Sequence, residues 1–320
     1  MNTKNGIEPS VTSHLLMIRP LHFGFNEETA LNNAFQINDD TLSVHQISAL
    51  ALKEFDDFVT VLQHSGLCIT VVEDKDSPIL SDAVFPNNWF STHADGTVIT
   101  YPMFSKRRRL ERREDIFENL SRHYYISNRI HFEEAENKHR FLEGTGSLIL
   151  DRSNKIAYAC RSIRTDGSLL KEWADKMGYS LCVFYAQDEN GIAIYHTNVM
   201  MALSEQFVIW GGESVTDLKE RETAEKKLID TGKIIIPITN KQISLFAGNM
   251  LAVKNMNGDS MLIMSQTAYD SLSKDQINQI ESFSKIIKGN IPIIEKYGGG
   301  SVRCMLAEIF LEKLKEKRRL

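Results

Sequence analysis

VHQISALALKEFDDFVTVLQHSGLCITVV, residues 44–72, is the stretch from which the rest of the chain can be read. Val44, Ile47, Ala51, Phe55, Phe58 and Leu62 recur at i, i+3 and i+4 spacing, which lays one apolar stripe along a helix. Gly66 follows, where a left-handed C-terminal cap is needed. Residues 67–72 then form an aliphatic run too short for a core helix, so they read as a buried strand. The same order returns along the chain, with strand-like runs at residues 130–132, 181–184, 234–238 and 291–294. Ile277, Ile280, Phe283 and Ile287 stripe the last helix, and Gly178, Gly232 and Gly289 occupy the place that Gly66 takes in the first. The helices over residues 106–120 and 216–228 are more polar.

Between these units lie hairpins, apolar strands around loops of turn-forming residues. They pair residues 89–93 with 97–101, 147–151 with 155–160, 199–203 with 206–210, and 250–254 with 260–264. The fifth copy has only residues 304–310 after its strand, and its missing partner is available in residues 14–18. Pairing the two ends would close a ring and remove two open sheet edges. The repeat is therefore hairpin, helix, strand, five times over, and the expectation is a single α/β propeller-like domain spanning residues 1–320.

Composition bounds the rest. The chain has 320 residues, 42% apolar and 25% charged, with a net charge of −5, the profile of an ordinary globular protein. That charge favours neither nucleic acid nor an acidic membrane as a partner, and no apolar run approaches the length of a membrane span. Cys68, Cys160, Cys182 and Cys304 are far apart, and the first three sit in apolar runs, as core cysteines of a reduced compartment do. With no secretory layout at the N-terminus, a cytoplasmic location is expected. Residues 106–113 are strongly basic, but acids interleave with and follow them, so they read as a solvated helix face, as does the tail from Glu312. No zinc spacing, dinucleotide fingerprint or serine-hydrolase elbow occurs, and no metal or organic cofactor is expected.

In equivalent repeats, the segments joining each strand to the next hairpin should converge near the pseudo-symmetry axis. These joints are residues 85–89, 141–146, 195–198, 245–249 and 298–304. Together they bring Cys304, His196, Glu143 and several asparagines to one place, the inventory of a covalent thiol enzyme: nucleophile, proton shuttle and orienting carboxylate. Each alone has a plainer reading, as a packed thiol, a structural histidine or a turn carboxylate. Their shared placement is what favours chemistry.

At these joints the chain resembles the pentein, or amidinotransferase/arginine deiminase, superfamily, and within it the CtlX-type citrulline-utilisation branch. The resemblance runs from Met17-Ile18-Arg19-Pro20 and residues 23–36, through FPNNWFSTH at 85–93, to GGGSVRC at 298–304. It implies a five-bladed propeller of ββαβ repeats. It also implies Cys304 as the nucleophile, His196 as the general acid/base and Glu143 as the carboxylate beside them, acting on the central carbon of a guanidinium or related group. Asn87, His93 and Asn198 are the implied substrate-binding residues. Deiminase relatives carry an aspartate where this chain has His93, and His-x-Asp where it has His196-Thr197-Asn198. Those aspartates clasp a cationic guanidinium. Their replacement by neutral hydrogen-bonding groups points to a neutral ureido substrate such as citrulline, and an imidazolium at His196 or His93 would then have to stabilise the thiolate. Arg19, Arg161, Arg164 and Arg303 are candidates for a substrate carboxylate. Two activities compete within the resemblance, an arginine or dimethylarginine deiminase-like reaction and amidino transfer. A non-catalytic binding protein of the same fold, like the ribosome anti-association factors, is the alternative outside it. The expected partner is a small guanidino or ureido amino acid, and a homo-oligomer is left open.

Overall fold

A computed structural model describes residues 8–30, 33, 35–37 and 41–314. Its strands fall into five three-stranded sheets arranged as blades. The first blade contains β1 (His14–Arg19), helix α1 (Val44–His64) and β2 (Cys68–Glu73). The second is β3 (Phe90–Thr92), β4 (Thr97–Thr100), α2 (Glu114–Ser121) and β5 (Asn128–His131). The third is β6 (Leu148–Asp151), β7 (Ile156–Cys160), α3 (Gly167–Met177) and β8 (Ser180–Phe184). The fourth is β9 (Met201–Leu203), β10 (Phe207–Trp210), α4 (Leu218–Asp230) and β11 (Ile234–Pro237). The fifth is β12 (Leu251–Lys254), β13 (Ser260–Ser265), α5 (Lys274–Glu281) and β14 (Lys285–Gly289). A further helix, α6 (Pro292–Gly298), leads to β15 (Ala307–Glu308), which pairs antiparallel with β1 at Leu15↔Glu308 and Leu16↔Ala307. The ring closes through the two ends of the chain, as the repeat requires, and the molecule is a five-bladed pseudo-symmetric α/β propeller.

Every blade follows one rule. Its middle strand is antiparallel to the hairpin partner and parallel to the strand that returns from the helix, as in Ile209↔Ala202 and Ile209↔Ile236. The middle strands β4, β7 and β10 are wholly buried, and β1 and β13 are buried but for residues at their ends. The helix-fed strands form the outer edges and are only partly buried: Val71 is 37% exposed and Ile234 48%. The aliphatic runs read as buried strands are thus edge strands, with β-branched residues covering one face of a helix and lying open on the other. Inner strands β3, β6, β9, β12 and β15 stand around the axis, with β9 between β6 and β12, and β15 beside β3.

Several expectations are corrected. The fifth outer strand is β14, not residues 291–294. Pro292 fixes the backbone for a helix start, and Glu54 of α1 accepts the N–H groups of Ile293 and Ile294, so those residues open α6. Helix α5 ends at Glu281, leaving Phe283 and Ile287 outside it. Gly66, Gly178 and Gly232 take positive φ as caps. Gly289 instead ends β14 where a Cβ would lie 2.7 Å from Phe58, so it serves close packing. The polar stretch 106–120 splits into a 3-10 turn at Arg108–Glu111 and α2, and Arg108 is buried rather than solvated. The tail read as a charged helix lies outside the described residues beyond 314. Among the described residues no helix is long and apolar enough to cross a membrane.

Candidate active site

The joints reach the axis as single tight turns. Pro86–Asn88 and Thr197–Val199 are 3-10 turns, Gly144–Ser147 is one helical turn, and Cys304 lies in a turn just before β15 rather than on that strand. Such turns point short polar side chains inward and let neighbouring joints touch. Gly144 has φ +47°, and a Cβ there would fall 2.5 Å from the Asn87 carbonyl oxygen. At Gly146 a Cβ would meet Asn88 Nδ2 at 2.4 Å and His196 Nδ1 at 2.8 Å, so only glycine lets the imidazole and that amide sit where they do.

His196 Nε2 lies 2.8 Å from Glu143 Oε2. The other carboxylate oxygen accepts the Phe104 N–H at 2.9 Å, and Arg164 Nη1 is 3.6 Å from Oε2. Burial pushes the Glu143 carboxyl up, but Arg164, His196 and Arg108 outweigh it and hold it at about 2. Burial likewise lowers His196, against the pull of Glu143. Permanently charged arginines keep the carboxylate ionised, so the pair is neutral imidazole donating to carboxylate. The nitrogen left over, Nδ1, is the one available to move a proton.

Cys304 is 8% exposed. Its Sγ receives Asn198 Nδ2 at 3.5 Å and Asn249 Nδ2 at 3.4 Å. Cys304 and His196 line one narrow cleft, together with Asp82, Asn88, Arg108 and Arg164. Arg108 donates to Glu111, to Asn88 Oδ1 at 2.8 Å and to the Phe85 carbonyl at 3.0 Å. Asp82 accepts from Asn26 through Oδ2 at 2.8 Å, while Oδ1 is buried without a hydrogen bond. Asn88 Nδ2 and Asn198 Oδ1 are also buried and unbonded. Unmatched polar atoms on cleft-lining residues such as Asp82 and Asn88 are what a polar ligand would satisfy.

The sequence expectations divide cleanly here. Cys304, His196, Glu143 and Asn198 come together. Asn87 is fully buried within its joint with neither amide atom bonded. His93 is not with them: its ring bonds Ser91 at 3.0 Å and Arg152 at 3.3 Å, and it lies 3.7 Å from Glu8, at the hairpin end of β3. Neither His93, by position, nor His196, which burial keeps neutral, supplies the imidazolium expected to hold a thiolate. Of the four arginines, only Arg164 lines the cleft. Arg19 pairs with Asp56, Arg161 with Glu220, and Arg303 with Glu308. Asn88 and Asn249 stand in the joints among the asparagines expected there, though neither was singled out. Asp82 and Arg108 were missed, and a signal existed for both: Asp82 is a lone acid in the apolar run 79–85, and Arg108 has Glu111 three residues on. Cys160 and Cys182 are buried, their thiols pushed up to about 12 and about 11 by burial, while Cys68 is only half-buried. Among the described residues no group of three or more metal-ligating side chains gathers.

A closed ring of five ββαβ blades with polar joints meeting at its axis is the pentein-type fold. Residues 19–311 match the family of N,N dimethylarginine dimethylhydrolases, eukaryotic, and the chain belongs to that hydrolase family. Solved structures share the fold at low identity. ArgZ, an arginine dihydrolase from the ornithine–ammonia cycle in cyanobacteria, has a TM-score of 0.71 at 16% identity, over 95% of this chain and 41% of that one. Its N-terminal domain, bound to product, has 0.70 at 17%, over 92% of this chain and 97% of that one. A dimethylarginine dimethylaminohydrolase variant carrying an S-methyl-L-thiocitrulline adduct has 0.63 at 18%, over 93% and 100%. The chain thus spans about two-fifths of full-length ArgZ and the whole of these single-domain relatives. No curated protein matches it in sequence.

Proposed function

We propose that the chain is one catalytic unit, a cysteine-dependent hydrolase of an arginine-related amino acid, acting on the ureido or guanidino carbon, with a citrulline-type substrate favoured. Cys304 attacks that carbon as its thiol proton passes to Nδ1 of His196, and collapse of the adduct expels an amine that takes that proton. Water, deprotonated by the same imidazole, then frees the sulfur, while Glu143 holds the ring in one tautomer. Asp82, Arg108 and Arg164, with opposite charges on one wall of the cleft, suit the ammonium and carboxylate of a free amino acid.

The observation that carries the ureido preference is the ring of amides around Sγ: Asn198 and Asn249 donate to it, and Asn88 lines the same cleft. Amides offer both donors and acceptors to a neutral C=O and NH₂, and no charge to a cation. His93, bonded to Ser91 and Arg152 away from the cleft, has no part in this preference, whereas Asn198 does. A guanidino substrate is the second reading, favoured by the family's name and by the buried Asp82 carboxylate.

The test incubates purified protein separately with citrulline, arginine, agmatine and dimethylarginine, beside a Cys304→Ala control, and identifies products by mass spectrometry. Ornithine from citrulline, absent in the control, is expected. Citrulline formed from arginine or dimethylarginine would keep the thiol chemistry and overturn the ureido preference.

A further inference from the structure

Tyr195 faces two spaces. On one side its ring lines the narrow cleft with Cys304 and His196. On the other it lines a pocket of about 600 Å³, framed by Ile192, Ile194, Ile243, Phe246 and Pro292. The ring is held from several directions. Its hydroxyl donates to the Gly299 carbonyl at 3.2 Å, in the glycine run that leads to Cys304. The Arg164 guanidinium lies 4.6 Å from the ring centre, and Phe35, which lines the pocket, meets the ring edge-on at 6.3 Å. The Tyr195 carbonyl accepts the Ser162 hydroxyl at 2.7 Å, which fixes the backbone beneath the ring. Burial pushes the phenol pKa up, so the hydroxyl keeps its proton and remains a donor to Gly299.

We infer that Tyr195 is a specificity-determining residue: latched to Gly299, its ring walls the Cys304–His196 cleft off from the pocket and limits the site to slender ligands whose departing amine is small. The inference deepens the function proposed above and rests on that cleft being where the substrate reacts. The imidazole that serves the departing amine packs against this ring, centre to centre at 4.8 Å. Ammonia clears such a wall, whereas an amine with a ring-sized substituent has to displace it. Displacement is costly, because swinging the ring aside breaks the bond to Gly299 and the contact with Arg164. An unlatched or shortened side chain would join the cleft to the pocket, and the same thiol would then meet wider ligands.

The experiment compares alkylation of Cys304 by iodoacetamide and by N-benzyl-iodoacetamide, without substrate, by mass spectrometry of the Cys304 peptide. Each rate is divided by that of glutathione with the same reagent, which removes the difference in intrinsic reactivity. Wild type should prefer the smaller reagent by about 10- to 100-fold, the scale on which a site rejects a group that does not fit. Tyr195→Ala should lose most of that preference. Tyr195→Phe should lose part of it, because the ring keeps its size but not its latch. Adding Ile192→Trp, which refills the pocket from its exposed side, to Tyr195→Ala should restore the preference. A general loosening of the fold would instead speed both reagents alike and would survive Ile192→Trp. A wild type without preference, or a Tyr195→Ala protein with the wild-type preference, overturns the inference. If Tyr195→Ala does not fold, Tyr195→Phe decides, and an unchanged preference there overturns it. If wild-type Cys304 resists both reagents, the opened variant must take up both, and continued resistance overturns the wall. None of these readings needs turnover, so they separate failure of the wall from failure of the substrate assignment.

Discussion

Glu143 accepts from His196 and the Phe104 N–H while facing Arg164, and this one carboxylate sets the protonation of the whole centre. Glu143→Gln keeps the shape but removes the carboxylate charge that faces Arg164 and no longer fixes which imidazole nitrogen carries the proton. On the proposed mechanism kcat should fall by about 10²- to 10⁴-fold, the range for losing acid–base catalysis, read on citrulline. Stability gives a second readout. The folded carboxyl is held at about 2 against an ordinary 4.5, so its contribution is complete above 4.5 and drains away as pH falls toward 2. The gap in unfolding free energy between wild type and Glu143→Gln should therefore narrow steadily over that acid window in urea titrations. A gap independent of pH would mean that the carboxylate charge contributes nothing. At this scale the convergence of Cys304, His196 and Glu143 was legible because each stands in a joint. Asp82 and Arg108 were not, since they enter from ahead of one joint and from a charged run whose burial depends on Glu111 and on the carbonyl of Phe85.

The helix that leads to Cys304 has its own control. Glu54 of α1 accepts the Ile293 N–H at 3.0 Å and the Ile294 N–H at 3.0 Å, satisfying two orphan donors at the start of α6. At the other end of α6, Gly299 turns left-handed, and Glu295 accepts the Ser301 hydroxyl at 2.6 Å. The Ser301 carbonyl then takes the Cys304 N–H at 3.0 Å. Burial pushes the Glu54 carboxyl up to about 7 from 4.5, the two N–H bonds opposing it. A raised acid favours folding fully below its free value and progressively less as pH climbs from 4.5 to 7. Glu54→Gln keeps an acceptor and removes the buried charge, so its stability should rise relative to wild type across that interval. Glu54→Ala, leaving both N–H groups bare, should lose about 1–3 kcal/mol at every pH. Thermal unfolding at pH values on both sides of the interval checks both, and a Gln variant that loses ground as pH rises would contradict the sign. This cap also explains the misread element. Residues 291–294 look like a strand by composition, and what makes them a helix is a carboxylate far upstream in sequence, which no local pattern reveals.

At the scale of the molecule the repeat was legible because four hairpins and five helix–strand returns carry their own periodicity. Which strand of each blade is buried was not, because edge and centre strands have the same aliphatic composition and differ only in what stands beyond them. Closure is the feature that depends most on the whole. β15 contributes only Ala307 and Glu308 to the pairing with β1, but side chains seal the seam: Thr12 Oγ1 donates to the Ile309 carbonyl at 2.8 Å, and Thr92 Oγ1 to the Glu308 carbonyl at 3.0 Å. Leu15, Leu16, Met17 and Ile18 of β1 are at most 1% exposed. Burying four such side chains is worth roughly 6–12 kcal/mol at about 1.5–3 each, as much as the typical net stability of a domain, about 5–15 kcal/mol. Deleting residues 1–19 should therefore unfold or aggregate the chain, since β2 and β15 would both be left with open edges. A circular permutant is the necessary contrast. It joins the ends through a glycine-serine linker and opens the chain in the turn at residues 255–259, so that it keeps every strand pair and should remain folded with its cleft intact. Gel filtration and thermal unfolding of the two proteins distinguish the cases. A truncated chain that stayed monomeric with the wild-type transition would mean that the ring does not need its closing strand, and that the cleft, whose Cys304 lies three residues before β15, is held by α6 and the asparagine joints alone.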